Sequence, residues 1–126
     1  MGDLRVQELV LELGLKDLAM TKEGSVRTVS GGVAGDVLSY IMANARPGDA
    51  WVTVQTHENV VAVAAVTDVA CVIVCQREVP EDTVRRAKAE GITLLWSDRP
   101  AFEVSGRLFQ ALGLSKALSG DDAATE

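Results

Sequence analysis

Apolar residues recur along this chain in two rhythms, a helical one at each end and a denser, strand-like one in the middle. Val6, Leu9, Val10 and Leu13 form one stripe, so VQELVLELG predicts a helix with Asp3 placed to cap it and Gly14 to stop it. LAM (18–20) and VRTVS (26–30) are short strand candidates around a turn-like KEGS. Three glycines follow, Gly31, Gly32 and Gly35, between that strand and the next helical stretch. DVLSYIMANAR sets Val37, Leu38, Ile41, Met42 and Ala45 on one helical face. Asp36 is the expected cap there, and Pro47-Gly48 the expected stop.

From Trp51 onward the pattern is regular. WVTVQ (51–55), CVIVC (71–75) and ITLLW (92–96) are strand candidates about 20 residues apart. VPEDTVRRAKAEG fills the second gap as a helix with Pro80 near its start, acids in its first turn and Gly91 at its stop. Its apolar stripe is thin, little more than Val84 and Ala87, which predicts an outermost helix. NVVAVAAV suits either a strand by its valines or a buried helix by its alanines and a Thr56 cap. Helix is the consistent reading, because parallel strands this close in sequence need a crossover. RPAFEVSGRLFQALG predicts the last helix, with Pro100 in its first turn and Gly113 ending it. CVIVC is apolar at every position, the mark of a strand covered on both faces. The expected class is α/β, a mainly parallel sheet of about four to five strands with helices on both faces. One domain over 1–116 is expected, with the polar end SGDDAATE inside a disordered tail over 117–126.

Composition narrows the function classes. The chain has 126 residues with 48% apolar and 24% charged side chains, enough for a core without disulfide or metal staples. A net charge of −6 repels polyanions, so nucleic acid is not an expected partner. No apolar run reaches the length of a membrane span, and MGDLRVQELV has no basic leader with an apolar core. A cytoplasmic location is the expectation. Cys71 and Cys75 sit on one strand face roughly 13 Å apart, too far for a disulfide, and read as small buried side chains. Metal binding would need more ligands than one histidine adds to them.

In open parallel sheets, ligands sit beyond the carboxyl ends of the strands. Each carboxyl end here is polar: Gln55, Thr56, His57, Glu58 and Asn59 after the first strand of the regular unit, Gln76 and Arg77 after the next, Ser97 and Asp98 after the last. Each also opens a helix, whose unpaired N–H groups and positive dipole end favour an anion. Gly31 and Gly32 join this rim if VRTVS runs parallel to its neighbours. VSGGVAGD lacks the Gly-Lys-Ser/Thr ending of a P-loop and does not match G-x-G-x-x-G. Its glycines suit a bulge, a positive-φ turn or close backbone packing. His57, the only histidine, can face a phosphate or simply bond its neighbours in a first turn. No nucleophile elbow, HExxH or carboxylate cluster with metal spacing is present, so no catalytic residue, metal or cofactor is predicted.

The run GGVAGDVLSYIMANARPGDAWVTVQTHENVVAVAAV, with AKAEGITLLWSDRPAFEVSGRL, closely resembles the stand-alone DRTGG-domain proteins of bacteria and archaea, from about residue 4 to 114. The resemblance implies a fold similar to the N-terminal domain of HPr serine kinase/phosphorylase. The same domain type occurs in phosphotransacetylases and between CBS domains of some inorganic pyrophosphatases, where its region takes part in adenine-nucleotide regulation. It implies a non-catalytic regulatory or ligand-sensing module, usually a homodimer. Gene neighbourhoods in the family imply a hydrogenase or redox-signalling context. The alternatives are a pure interaction module serving a hydrogenase or sensor kinase, and a phosphate-ester enzyme or kinase-like subunit. The chain departs from the pattern of the family it resembles at the eponymous motif: Thr56-His57 stand where the Asp-Arg falls, and Cys75-Gln76-Arg77 where the Thr-Gly-Gly falls.

Overall fold

The computed structural model describes residues 4–114. The expected Asp3 cap and the expected tail over 117–126 lie outside the described residues. The elements are β1 (Leu4–Arg5), α1 (Val6–Leu13), β2 (Lys16–Ala19), α2 (Lys22–Ser25), β3 (Thr28–Val29), β4 (Gly31–Ala34), α3 (Leu38–Asn44), β5 (Asp49–Thr53), α4 (Asn59–Thr67), β6 (Cys71–Cys75), α5 (Glu81–Glu90), β7 (Leu94–Ser97) and α6 (Ala101–Ala111). Five strands form the main sheet in the order β2-β7-β6-β5-β4. β4, β5, β6 and β7 run parallel, and β2 closes one edge antiparallel to β7.

Strand alternation sorts the core into two layers. Ala50, Val52, Cys71, Ile73, Cys75 and Leu95 face α1 and α6, meeting Val6, Leu9, Leu13, Val104 and Leu108. Trp51, Val72, Val74 and Leu94 face the other way, against Ile41, Val60, Val61, Ala64 and Ala87 of α3, α4 and α5. Both cysteines are free and fully buried. β5 and β6 are buried at every position because each has a strand on both sides and helices on both faces. α4 packs between α3 and α5, so its valines and alanines are apolar nearly all round and still helical. The indole of the fully buried Trp51 donates to the Gly35 carbonyl at 2.9 Å, tying β5 to the end of β4.

Several local expectations are corrected. The VRTVS stretch gives no strand of the main sheet; its Thr28–Val29 pairs antiparallel with Leu4–Arg5 in a separate small ribbon. The parallel edge strand is the glycine segment itself, Gly31–Ala34, and neither Gly31 nor Gly32 has a positive φ. KEGS is a short helix, with the Thr21 hydroxyl accepting from the Gly24 N–H. On α3 only Ile41 is fully buried, whereas Val37 and Met42 are exposed. Asp36 does not cap α3, because its carboxylate is drawn to β5, and Thr56 does not cap α4, whose cap position falls on Glu58. α1 begins with the Arg5 N–H donating to Glu8 Oε1 at 2.8 Å, and the left-handed Gly14 and Gly91 stop α1 and α5 as read.

Candidate functional site

Because four strands run parallel, their carboxyl ends open on one rim in the order Ser97–Asp98, Gln76–Arg77, Gln55–Asn59, Asp36. Nine of the eleven sequence-predicted site residues, Gln55 to Asn59, Gln76, Arg77, Ser97 and Asp98, therefore share this rim. Gly31 and Gly32 do not. They pair with Asp49 and Ala50 at the start of β5, at the opposite end of the sheet. Their lack of side chains has packing causes. A Cβ on Gly31 would lie 2.8 Å from Asp49 Oδ1, and one on Gly32 2.9 Å from Leu108 Cδ2.

The rim is organised by a residue that motif reading took for a helix cap. Asp36 Oδ1 accepts from the Thr53 hydroxyl and from the Val54 N–H, each at 2.8 Å. The Gln55 side-chain amide reaches the Asp36 carbonyl at 3.4 Å, which turns its oxygen the other way. Gln55 Oε1 accepts from the N–H groups of Thr56 at 3.2 Å and His57 at 3.3 Å. His57 Nδ1 accepts from the Asn59 N–H at 3.0 Å, leaving Nε2 towards solvent as the proton-bearing nitrogen. Thus three backbone donors at the mouth of α4 point at side-chain oxygen or nitrogen atoms. They make an anion-type nest filled from within. The Thr56 carbonyl accepts from the buried Thr83 hydroxyl at 2.8 Å, so α5 holds the turn from beneath.

The next strand end is strained. Gln76 has φ 67°, a left-handed value uncommon for a residue with a side chain. Arg77 N–H donates to the Cys75 carbonyl at 2.7 Å across it, which makes the rare three-residue turn with positive φ at its centre. Gln76 N–H meanwhile donates to the Ser97 carbonyl at 2.7 Å, and the Trp96 indole to the Arg77 carbonyl at 3.0 Å. Both bonds fasten this turn to β7. The side chains of Gln76 and Arg77 are thrown out onto the exposed rim. Ser97 Oγ accepts from the Arg99 N–H at 3.1 Å at the mouth of α6.

The chemistry on offer is binding chemistry. Arg77 and His57 supply cationic and N–H donors, and Gln55, Asn59 and Gln76 supply amides. Cys75 ends β6 beside this rim, yet burial, with the Asp36 carboxylate adding to it, pushes its thiol up to about 11. Burial pushes Cys71 up to about 12, against an opposing pull from Arg27. Thiols held this high carry almost no thiolate near neutral pH. Among the described residues no group of three or more His, Cys, Asp or Glu side chains is placed to hold a metal ion. No described helix is long and apolar enough to cross a membrane.

No protein-family model matches the chain, and no curated protein matches it. Among solved structures, the chain is similar to the CBS and DRTGG domains of the regulatory region of Clostridium perfringens pyrophosphatase, complexed with the activator diadenosine tetraphosphate. The TM-score is 0.67 at 17% identity, over 82% of this chain and 45% of that one. The chain thus spans under half the length of that structure. This chain has the fold of part of a CBS and DRTGG regulatory region, in agreement with the DRTGG resemblance read from its sequence.

Proposed function

We propose that this chain is a non-catalytic regulatory domain that senses a small anionic ligand, an adenine nucleotide being the first class to test, at the carboxyl rim of its sheet. The observation that carries the reading is the nest at the mouth of α4. Gln55 Oε1 stands where an anion's oxygen would, accepting from two successive backbone N–H groups. A phosphate oxygen displacing it gains those donors and the positive helix end together. His57 and Arg77, on adjacent strand ends, then supply the charge-assisted contacts. The similar pyrophosphatase region is described with a bound nucleotide, which supports the ligand class.

A homodimer in the cytoplasm, working beside a hydrogenase or sensor kinase, completes the proposal. The exposed apolar residues Val37, Tyr40 and Met42 around α3 support self-association. The hydrogenase setting rests on the family resemblance alone.

The test is thermal unfolding with AMP, ATP, diadenosine tetraphosphate and inorganic phosphate. A ligand at a hundred times its dissociation constant adds about 2.7 kcal/mol to the native state, a rise of several degrees. Arg77→Ala is expected to keep the unliganded melting temperature and His57→Ala to lower it slightly through the lost bond to the Asn59 N–H, and both are expected to lose most of the rise. An undiminished rise in both variants would place the ligand elsewhere, and no rise with any of the four would reject the ligand class.

A further inference from the structure

The two edges of the main sheet are built differently. β2 is guarded by the exposed Lys16 and Asp17 and carries a register break between Asp17 and Ala19, both of which discourage a further strand. β4, at the other edge, reads Gly-Gly-Val-Ala, with no charge, no proline and no register break in its pairing with β5. Gly35 N–H donates inward to Val52, so Gly31 and Val33 share that phase. Gly32 and Ala34 turn their N–H and C=O groups outward, and both are exposed.

A cavity flanks this edge on each face. On the α6 side about 230 Å³ is lined by Val52, Leu108, Phe109, Leu112 and Leu114, an apolar wall. On the α3 side about 640 Å³ is lined by Ser30, Tyr40, Asn44, Arg46, Asp49 and again Leu114, which borders both cavities. Asp49 is 6% exposed. Its Oδ2 accepts from the Arg46 N–H at 2.9 Å, but among the described residues no hydrogen bond reaches Oδ1, which lies close to Gly31, and Asp49 lines this cavity. A buried carboxylate oxygen with no described protein donor is open to a donor that enters this cavity.

We infer that β4 is a docking edge for an extended segment of another protein, which adds a strand and sends alternate side chains into the two cavities. An aliphatic residue enters the apolar one. A side-chain amide enters the polar one, donating to Asp49 Oδ1 and accepting from Arg46; a second cation there would face Arg46. A second copy of this chain is the poorer occupant. Its own β4 carries only Gly, Gly, Val and Ala, which neither fill the apolar cavity nor offer Asp49 a side-chain donor. Its polar cavity reaches the opposite end of the sheet from the nest, at Gly31 and Asp49, and the pairing along β4 uses none of the nest's residues, so it does not depend on the ligand proposed there.

The probe is a synthetic peptide about six residues long, the usual length of a strand, alternating Val or Leu with Gln. Fluorescence anisotropy with the full chain is expected to give a dissociation constant of about 10–100 μM, with exchange protection of the Gly32 and Ala34 amides. Replacing the glutamines by valine is expected to weaken it about tenfold or more, since a hydrogen bond to a charged group is lost. Ala34→Pro removes an outward N–H at an edge position that tolerates proline, and should abolish binding with the melting temperature nearly kept. An N-methylated peptide tests the same bonds with the native chain. The inference is overturned by no binding at about 1 mM, or by binding indifferent to both Ala34→Pro and N-methylation. It is also overturned if Gly32 and Ala34 are already protected without peptide. A concentration-dependent protection would assign the edge to a second copy, and a concentration-independent one to the chain's own residues beyond 114.

Discussion

Gln76 occupies a backbone position that glycine would fill without strain, and the family resemblance places a glycine of the eponymous motif there. Its φ of 67° costs on the order of 1–2 kcal/mol relative to glycine. Gln76→Gly should therefore raise the unfolding free energy by about 1 kcal/mol in a urea titration, while removing an amide from the rim. A stability loss would mean that the side chain holds the turn. Asp36 works in the opposite sense, since its single oxygen satisfies both Thr53 and Val54. Asp36→Ala is expected to cost about 2 kcal/mol and to loosen Gln55, seen as faster amide exchange at Val54 and Thr56. The buried thiols set a pH dependence. Their pKa values stand at about 12 for Cys71 and about 11 for Cys75, above the ordinary 9.0, so the unfolded chain sheds these protons first. Their contribution is intact below pH 9.0 and is lost as pH climbs towards those values. Cys71→Ala with Cys75→Ala should flatten that alkaline fall in stability relative to the parent chain.

At the scale of elements, the strongest sequence signals were those with one physical cause. CVIVC was legible to the residue because a strand covered on both faces leaves no polar position. α5 was legible because proline, first-turn acids and a terminal glycine agree. Strand ends were less so: β5 begins two residues before Trp51, since Asp49 and Ala50 are already buried by pairing with β4 and β6. The glycine pair misled because glycines between apolar runs commonly mark a turn. Here close packing by Leu108 and Asp49 excludes side chains from an edge strand, a tertiary cause that no local pattern records. The same holds at the rim. Its polar ends were readable from topology, but Asp36 as its organiser, and Gln55 as the occupant of the amide nest, depend on contacts between strand ends. Thr83 links α5 into that nest by a hydrogen bond, beside the Arg86–Glu58 ion pair at 3.8 Å, and Thr83→Val should cost about 1 kcal/mol. It should also quicken amide exchange at Thr56 and His57 more than at the middle of α4; uniform quickening would show only a weaker core.

For the whole molecule, the parallel sheet carries one candidate surface at its carboxyl ends and another along its β4 edge. The carboxyl ends gather Gln55, His57, Gln76, Arg77 and Ser97 on one rim, over a buried core that holds the turns fixed. The β4 edge, unpaired on its outer side among the described residues, carries the apolar and polar cavities, the polar one reaching the far end at Asp49. Such a division suits a module whose ligand and partner meet different faces. The rim makes the account most exposed, and backbone amide mapping by NMR during a titration with AMP addresses it directly. The account predicts that the largest shifts fall on Thr56, His57, Gln76 and Arg77, with Gln55's side-chain amide moving as its oxygen leaves the nest. Shifts confined to the β4 edge, or an unperturbed rim at saturating AMP and diadenosine tetraphosphate, would contradict it.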